Sequence, residues 1–187
     1  MKIESITFHH LNMPLVSPFE TSFGRETDRE CILITIHSEG LIGYGECVAS
    51  RDPGYNYETT GTALHILKEF ITPLILEKDI KDALDFQERV SGIRGHHLAK
   101  AGVEMALWDL LGKREGKSLR ELLGGVREKV EVGVSIGIQE SAHSLVRSAA
   151  DYVKQGYDRV KIKIKPGRDI EDASAVRQEF PNLRLQV

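Results

Sequence analysis

The sequence predicts an α+β domain over residues 1–125 followed by alternating βα units over 126–187. Three observations predict this. Residues 2–48 read as strands and 58–120 as helices, a strands-then-helices order. Beyond Gly124-Gly125 the order becomes strand, helix, strand, helix, strand, the mark of parallel βα units. The stretch Val160–Gly167, read at a period of two, puts Lys161, Lys163 and Lys165 on one face and Val160, Ile162 and Ile164 on the other.

Residues 2–15 alternate as a first strand up to the turn-prone Pro14. Cys31–His37 is a strong second strand, Ser38-Glu39-Gly40 turns the chain, and Leu41–Val48 returns it as a third, in an antiparallel meander. A long connection, Ser17–Arg25, carries Phe19 and Phe23 between the first two strands. Such loops are often functional, although both rings could equally tuck under the sheet. A second irregular stretch, Ser50–Tyr57, carries Tyr55 and by itself reads as a plain strand-to-helix connection. Leu64, Leu67, Ile71 and Leu74 then repeat at helical spacing, with Pro73 marking strain or an end. A weaker amphipathic segment covers Asp82–Ile93, and Leu98, Ala101, Met105 and Trp108 define the core face of a longer helix running to about Lys113. Leu119–Leu123 is a short helix stopped by Gly124-Gly125. The second part reads as strand 130–138, helix 141–155, strand 160–165 ended by Pro166-Gly167, helix 170–179 and a strand beginning at Leu183.

Hydrophobic content of 41% and charged content of 28% are those of a soluble globular protein. A net charge of -3 gives no reason to expect nucleic acid or an acidic membrane as partner. The first residues lack the apolar core of a signal peptide and no run reaches membrane-spanning length, so a cytoplasmic protein is expected. Cys31 and Cys47 have no CxxC spacing and read as buried free thiols. Gly43-Tyr44-Gly45 lacks the third glycine of a dinucleotide fingerprint, and His96-His97 are adjacent and point apart on a helix.

The lysine run carries the chemistry. Taken alone, lysines on one strand face suit a solvent-facing edge. Strands of a parallel sheet, however, are covered on both faces, so these amines would point into the interior of a sheet or barrel. The C-terminal ends of barrel strands are where active sites are built. One ammonium beside another lowers an amine's pKa toward a value useful for a base.

Several motifs together resemble the enolase superfamily, in its muconate-lactonizing-enzyme subgroup, and within it the o-succinylbenzoate synthase and N-acylamino acid racemase family. They are Pro18–Gly24, Ala99-Lys100-Ala101 with Glu104–Leu110, Leu122–Gly125, Val132–Ile138 and Val160–Gly167. The resemblance implies an α+β capping domain over 1–125 and, over 126–187, the first two and a half βα units of an enolase-type (β/α) barrel. It implies abstraction of a proton alpha to a carboxylate by a lysine, with Mg²⁺ stabilising the enediolate. By the family's KxK motif, Lys163 is the base and Lys161 tunes it, while Lys165 follows the motif and is expected at the strand's mouth or in solvent. Ser135 matches a substrate-pocket position, and Phe19, Phe23 and Tyr55 fall in two cap loops that close over the substrate.

A closed barrel takes roughly 200 residues or more, so the chain is expected to be the N-terminal part of such an enzyme, truncated at the third barrel strand. The acidic Mg²⁺ ligands are expected on absent later segments, and no residue here is assigned as a metal ligand. The chain alone is expected to be inactive, its partners being a small-molecule carboxylate and either a homo-oligomer or a complementary C-terminal fragment. The rival readings are a dipeptide epimerase or cycloisomerase of the same subgroup, and a non-catalytic assembly remnant.

Overall fold

The computed structural model describes all 187 residues. Three strands form the first sheet, in the order β1 (Ser5–Thr21), β2 (Gly24–Ser38), β3 (Leu41–Cys47). β2 and β3 are antiparallel, with Ile34 opposite Gly45 and Ile36 opposite Gly43. The turn between them uses Glu39 and Gly40, both at positive φ.

The expected long connection at Ser17–Arg25 is absent. β1 runs on to Thr21 and β2 starts at Gly24, leaving only Ser22 and Phe23 as the turn. Pro14 and Pro18 lie inside β1, which is an edge strand, where a missing N–H need break no ladder. Proline is therefore a poor terminator here. Thr21 Oγ1 steadies the turn by accepting from the Phe23 N–H at 3.2 Å.

The helices begin with α1 (Thr60–Ile66), capped by a reciprocal Thr59–Thr62 box. It widens into a π turn over Leu67–Ile71 and continues as α2 (Thr72–Ile75). Pro73 cannot donate to the preceding turn, and Thr72 bonds Leu67 O from both its N–H and its hydroxyl, the latter at 2.8 Å. The buried stripe is Ala63, Leu67, Ile71 and Ile75, in steps of four that the wider turn keeps on one face. Leu64 and Leu74 of the expected stripe are only partly covered.

α3 (Ala83–Arg89), capped by Asp82, leads to α4 (His97–Glu115). The buried face of α4 is Ala99, Gly102, Val103, Ala106, Leu107 and Leu110. The expected face was wrong, since Ala101 and Met105 are exposed and Trp108 is half-buried. Small residues were chosen for close approach: a Cβ on Gly45 would lie 2.0 Å from Gly102 O, and one on Gly43 2.2 Å from Ala106 O. The start of α4 has no side-chain cap of its own. The buried Glu58 carboxylate supplies one, accepting from Leu98 N at 2.9 Å and Ala99 N at 3.1 Å. α5 (Leu119–Leu122) follows, with a Ser118–Glu121 capping box.

The second sheet is parallel, in the order β4 (Val134–Ile136), β5 (Arg159–Ile162), β6 (Arg184–Gln186), with α6 (Ala142–Lys154) and α7 (Asp169–Glu179) between them. The strands are shorter than the sequence suggests, and Lys163 to Lys165 lie beyond the end of β5.

Two compact units result, Met1–Met13 with Arg29–Val126, and Pro14–Asp28 with Arg127–Val187. The tip of the β1–β2 hairpin, assigned by sequence to the first domain, thus groups with the parallel strands. Each unit has its own core, the first around Ile32, Ile34, Phe86, Val103 and Leu107, the second around Ile136, Leu145, Val160, Ile162 and Val176. Cys31 and Cys47 are buried free thiols, and burial pushes Cys47 up to about 11. No helix is long and apolar enough to cross a membrane.

Candidate active site

The second unit holds the lysine run. Val160 and Ile162 are fully buried against α6 and α7, while Lys161 and Lys163 are half-buried on the opposite side. This is the alternation of a strand that packs under helices on one face only. The parallel register puts Ser135 beside Lys161 and Lys161 beside Gln186, so these three residues form a row across β4, β5 and β6. Lys163 stands one step further along the face, its N–H donating to Ile136 O at 3.0 Å and extending the ladder past the end of β5. Ser135 is exposed. Gln186 escaped notice in the sequence, because only the register reveals that it joins the row.

The three lysines are not equivalent. Lys161 and Lys163 have no acidic partner, whereas Lys165 Nζ lies 3.1 Å from Glu20 Oε1. Glu20 sits near the tip of the β1–β2 hairpin, 145 residues away, a pairing that no local pattern announces. The same hairpin segment is held by the backbone, with Ile138 N–H donating to Glu20 O at 3.0 Å. Phe19 lies against Gly137, where a Cβ would come within 3.3 Å of the ring. Phe23, at the turn, is 75% exposed. Arg168 ties neighbouring βα loops together by donating to Gln139 O at 2.8 Å and to the buried Asp172 at 2.7 Å.

Tyr55 belongs to the first unit and is exposed, in the irregular stretch that follows β3. Two residues on, Tyr57 accepts from His96 N at 2.9 Å.

Chemically, the row offers two unpaired amines, a hydroxyl and an amide on one face, at the C-terminal end of a parallel strand. Such a set can take up a proton and hold an anion. None of these four side chains is a carboxylate, an imidazole or a thiol. Nowhere in the chain do three or more His, Cys, Asp or Glu side chains converge to bind one.

Residues 2–124 match the family model described as mandelate racemase / muconate lactonizing enzyme, N-terminal domain. The chain is 43% identical to an o-succinylbenzoate synthase of Geobacillus kaustophilus, covering 99% of this chain and 50% of that protein. It is likewise 43% identical to an N-succinylamino acid racemase of Thermus thermophilus, over 99% and 50%. Among solved structures, an enolase superfamily member from Listeria innocua superposes with a TM-score of 0.91 at 40% identity, over 99% of this chain and 50% of that one. A dipeptide epimerase from Enterococcus faecalis, complexed with Mg and the dipeptide L-Leu-L-Tyr, superposes at 0.89 with 26% identity, over 99% and 52%. The chain thus spans about half the length of the relatives it matches. With a family match over residues 2–124 and a superposition over 99% of its length, the chain belongs to the mandelate racemase / muconate lactonizing enzyme family of the enolase superfamily.

Proposed function

We propose that this chain supplies the base-bearing half of a site that abstracts the proton alpha to a carboxylate, as an o-succinylbenzoate synthase or N-succinylamino acid racemase would. The observation that carries this reading is the pair Lys161 and Lys163, unpaired on one face beside Ser135, while the adjacent Lys165 is neutralised. Lys163, as a neutral amine, takes the alpha proton, and the C–H electron pair passes into the carboxylate to give an enediolate. The Lys161 ammonium, one residue pair along the same face, offsets the charge that develops. Delivery of a proton to the opposite face of the carbon inverts the centre, and loss of a beta hydroxyl, which takes up a proton and leaves as water, dehydrates it instead. The base is common to both outcomes, so the family's two activities differ after this step. Ser135, Phe19, Phe23 and Tyr55 are assigned to the substrate.

Mg²⁺ would supply Lewis-acid stabilisation of the carboxylate in such an enzyme. This chain's residues do not form a site for it, and no step above is assigned to the ion.

The test is exchange of the alpha proton of N-succinylalanine with D₂O, followed by NMR. The chain alone is expected to give none. Exchange is expected when the unmatched half of the Geobacillus relative is added in trans with Mg²⁺, and Lys163→Met should lower it by about 10²-fold or more, the usual worth of a general base. Exchange that survives Lys163→Met would remove Lys163 from the mechanism. No exchange in the reconstituted assembly would leave a non-catalytic assembly role.

A further inference from the structure

We propose that Glu20 and Lys165 are positioning residues whose ion pair docks the tip of the β1–β2 hairpin on the C-terminal ends of β4 and β5. The positioning role rests on the proton-abstraction reading above; the docking does not. Three separate contacts hold the same two residues of the hairpin. Glu20 Oε1 meets Lys165 Nζ at 3.1 Å, Glu20 O accepts from Ile138 N–H at 3.0 Å, and Phe19 fills the space that Gly137 leaves by lacking a Cβ. The third lysine of the run therefore has a different task from the first two. It anchors the segment that carries Phe19 and Phe23, and its pairing removes one of three like charges from the strand end.

The strength of the anchor follows from its exposure. The two side chains are 33% and 39% exposed, so water and salt screen the pair. Such a contact biases the hairpin toward the docked position without fixing it there, which suits a segment that must admit a substrate and then cover it.

The Ile138 amide reports docking directly, because its acceptor is Glu20 O. In amide hydrogen exchange on the whole chain, Glu20→Gln is expected to speed exchange at Ile138 by about 2–5-fold, the range of partly exposed ion pairs. The Ile162 amide should not respond. Raising salt to about 0.5 M should produce the same change in the unaltered chain and little further change in Glu20→Gln. The charge-swapped pair Glu20→Lys with Lys165→Glu should restore protection, which a merely steric role for Glu20 would not allow. Salt-independent exchange at Ile138 in the unaltered chain overturns the docking role and needs no variant to fold; failure of the swap to restore protection overturns it too. In the reconstituted assembly, Glu20→Gln should raise KM for N-succinylalanine more than it lowers kcat, with recovery in the swap. An unchanged KM overturns the positioning role. Absence of any alpha-proton exchange overturns the abstraction reading and the positioning role with it, while Ile138 still decides docking.

Discussion

Glu30 shows how much one side chain can gather. Its carboxylate lies 3.0 Å from His10 Nε2, takes the Arg51 Nε–H at 2.6 Å and accepts from the Thr60 hydroxyl at 3.0 Å, with 10% of the side chain exposed. The His10 contact first, and the Arg51 guanidinium second, hold its pKa at about 2, below the ordinary 4.5. Since the folded value lies below the unfolded one, the folded state is favoured above about pH 4.5, and that contribution is lost as the pH falls toward 2. Glu30→Gln is therefore expected to lower the urea midpoint at pH 7, with the gap to the unaltered chain closing between pH 4.5 and 2. A gap that stays constant over that interval would show that Glu30 acts by packing alone. None of this was legible in the sequence, where Glu30 is one acid among many. The lysine row was, because a period of two is a local property that Val160, Ile162, Lys161 and Lys163 carry by themselves.

At the scale of elements, the contact of β3 with α4 depends on what is missing from the side chains. Gly43 and Gly45 on β3 face Ala106 and Gly102 on α4 so closely that backbone meets backbone. Gly45→Ala puts a methyl 2.0 Å from Gly102 O and 2.7 Å from Ala106 N, and neither can swing aside as a side-chain tip could. The strand or the helix has to move, at a cost of about 3 kcal/mol by analogy with overpacked cores. Urea denaturation monitored by circular dichroism should show it; a loss under about 0.5 kcal/mol would mean that the two elements separate freely. The same contact explains why large apolar residues misled the reading of α4. Leu98, Met105 and Trp108 are large and apolar yet not fully buried, whereas the face toward β3 places Gly102 and Ala106 where backbone approaches backbone, with Val103, Leu107 and Leu110 buried on the same helix. The hairpin was misread for a related reason: Pro14 ends a central strand but is tolerated on an edge, and edge position is a property of the sheet.

For the whole molecule, the question is how two cores of unequal size share one chain. The first gathers 18 buried residues, the second only six, Ile136, Leu145, Ala149, Val160, Ile162 and Val176. Apolar burial is the main term opposing the entropy of ordering a chain, so the second unit has far less to hold it. β1 and β2 pass through both units, and β1 does so at Met13-Pro14, where the proline removes a backbone donor. With the smaller core, the second unit should open first. In a urea titration, amides of Val160 to Ile162 are expected to lose hydrogen-exchange protection before Trp108 fluorescence, which reports the first unit, begins to change. Adding the unmatched half of the Geobacillus relative should shift the first of these transitions upward in proportion to the logarithm of its concentration and leave the second nearly fixed, since a partner stabilises only the part that binds it. Coincident transitions that move together would mean that the small core draws its stability from the large one. In that case the lysine face would hold its order as long as the first unit does, and the six-residue core would owe its stability to contacts outside itself.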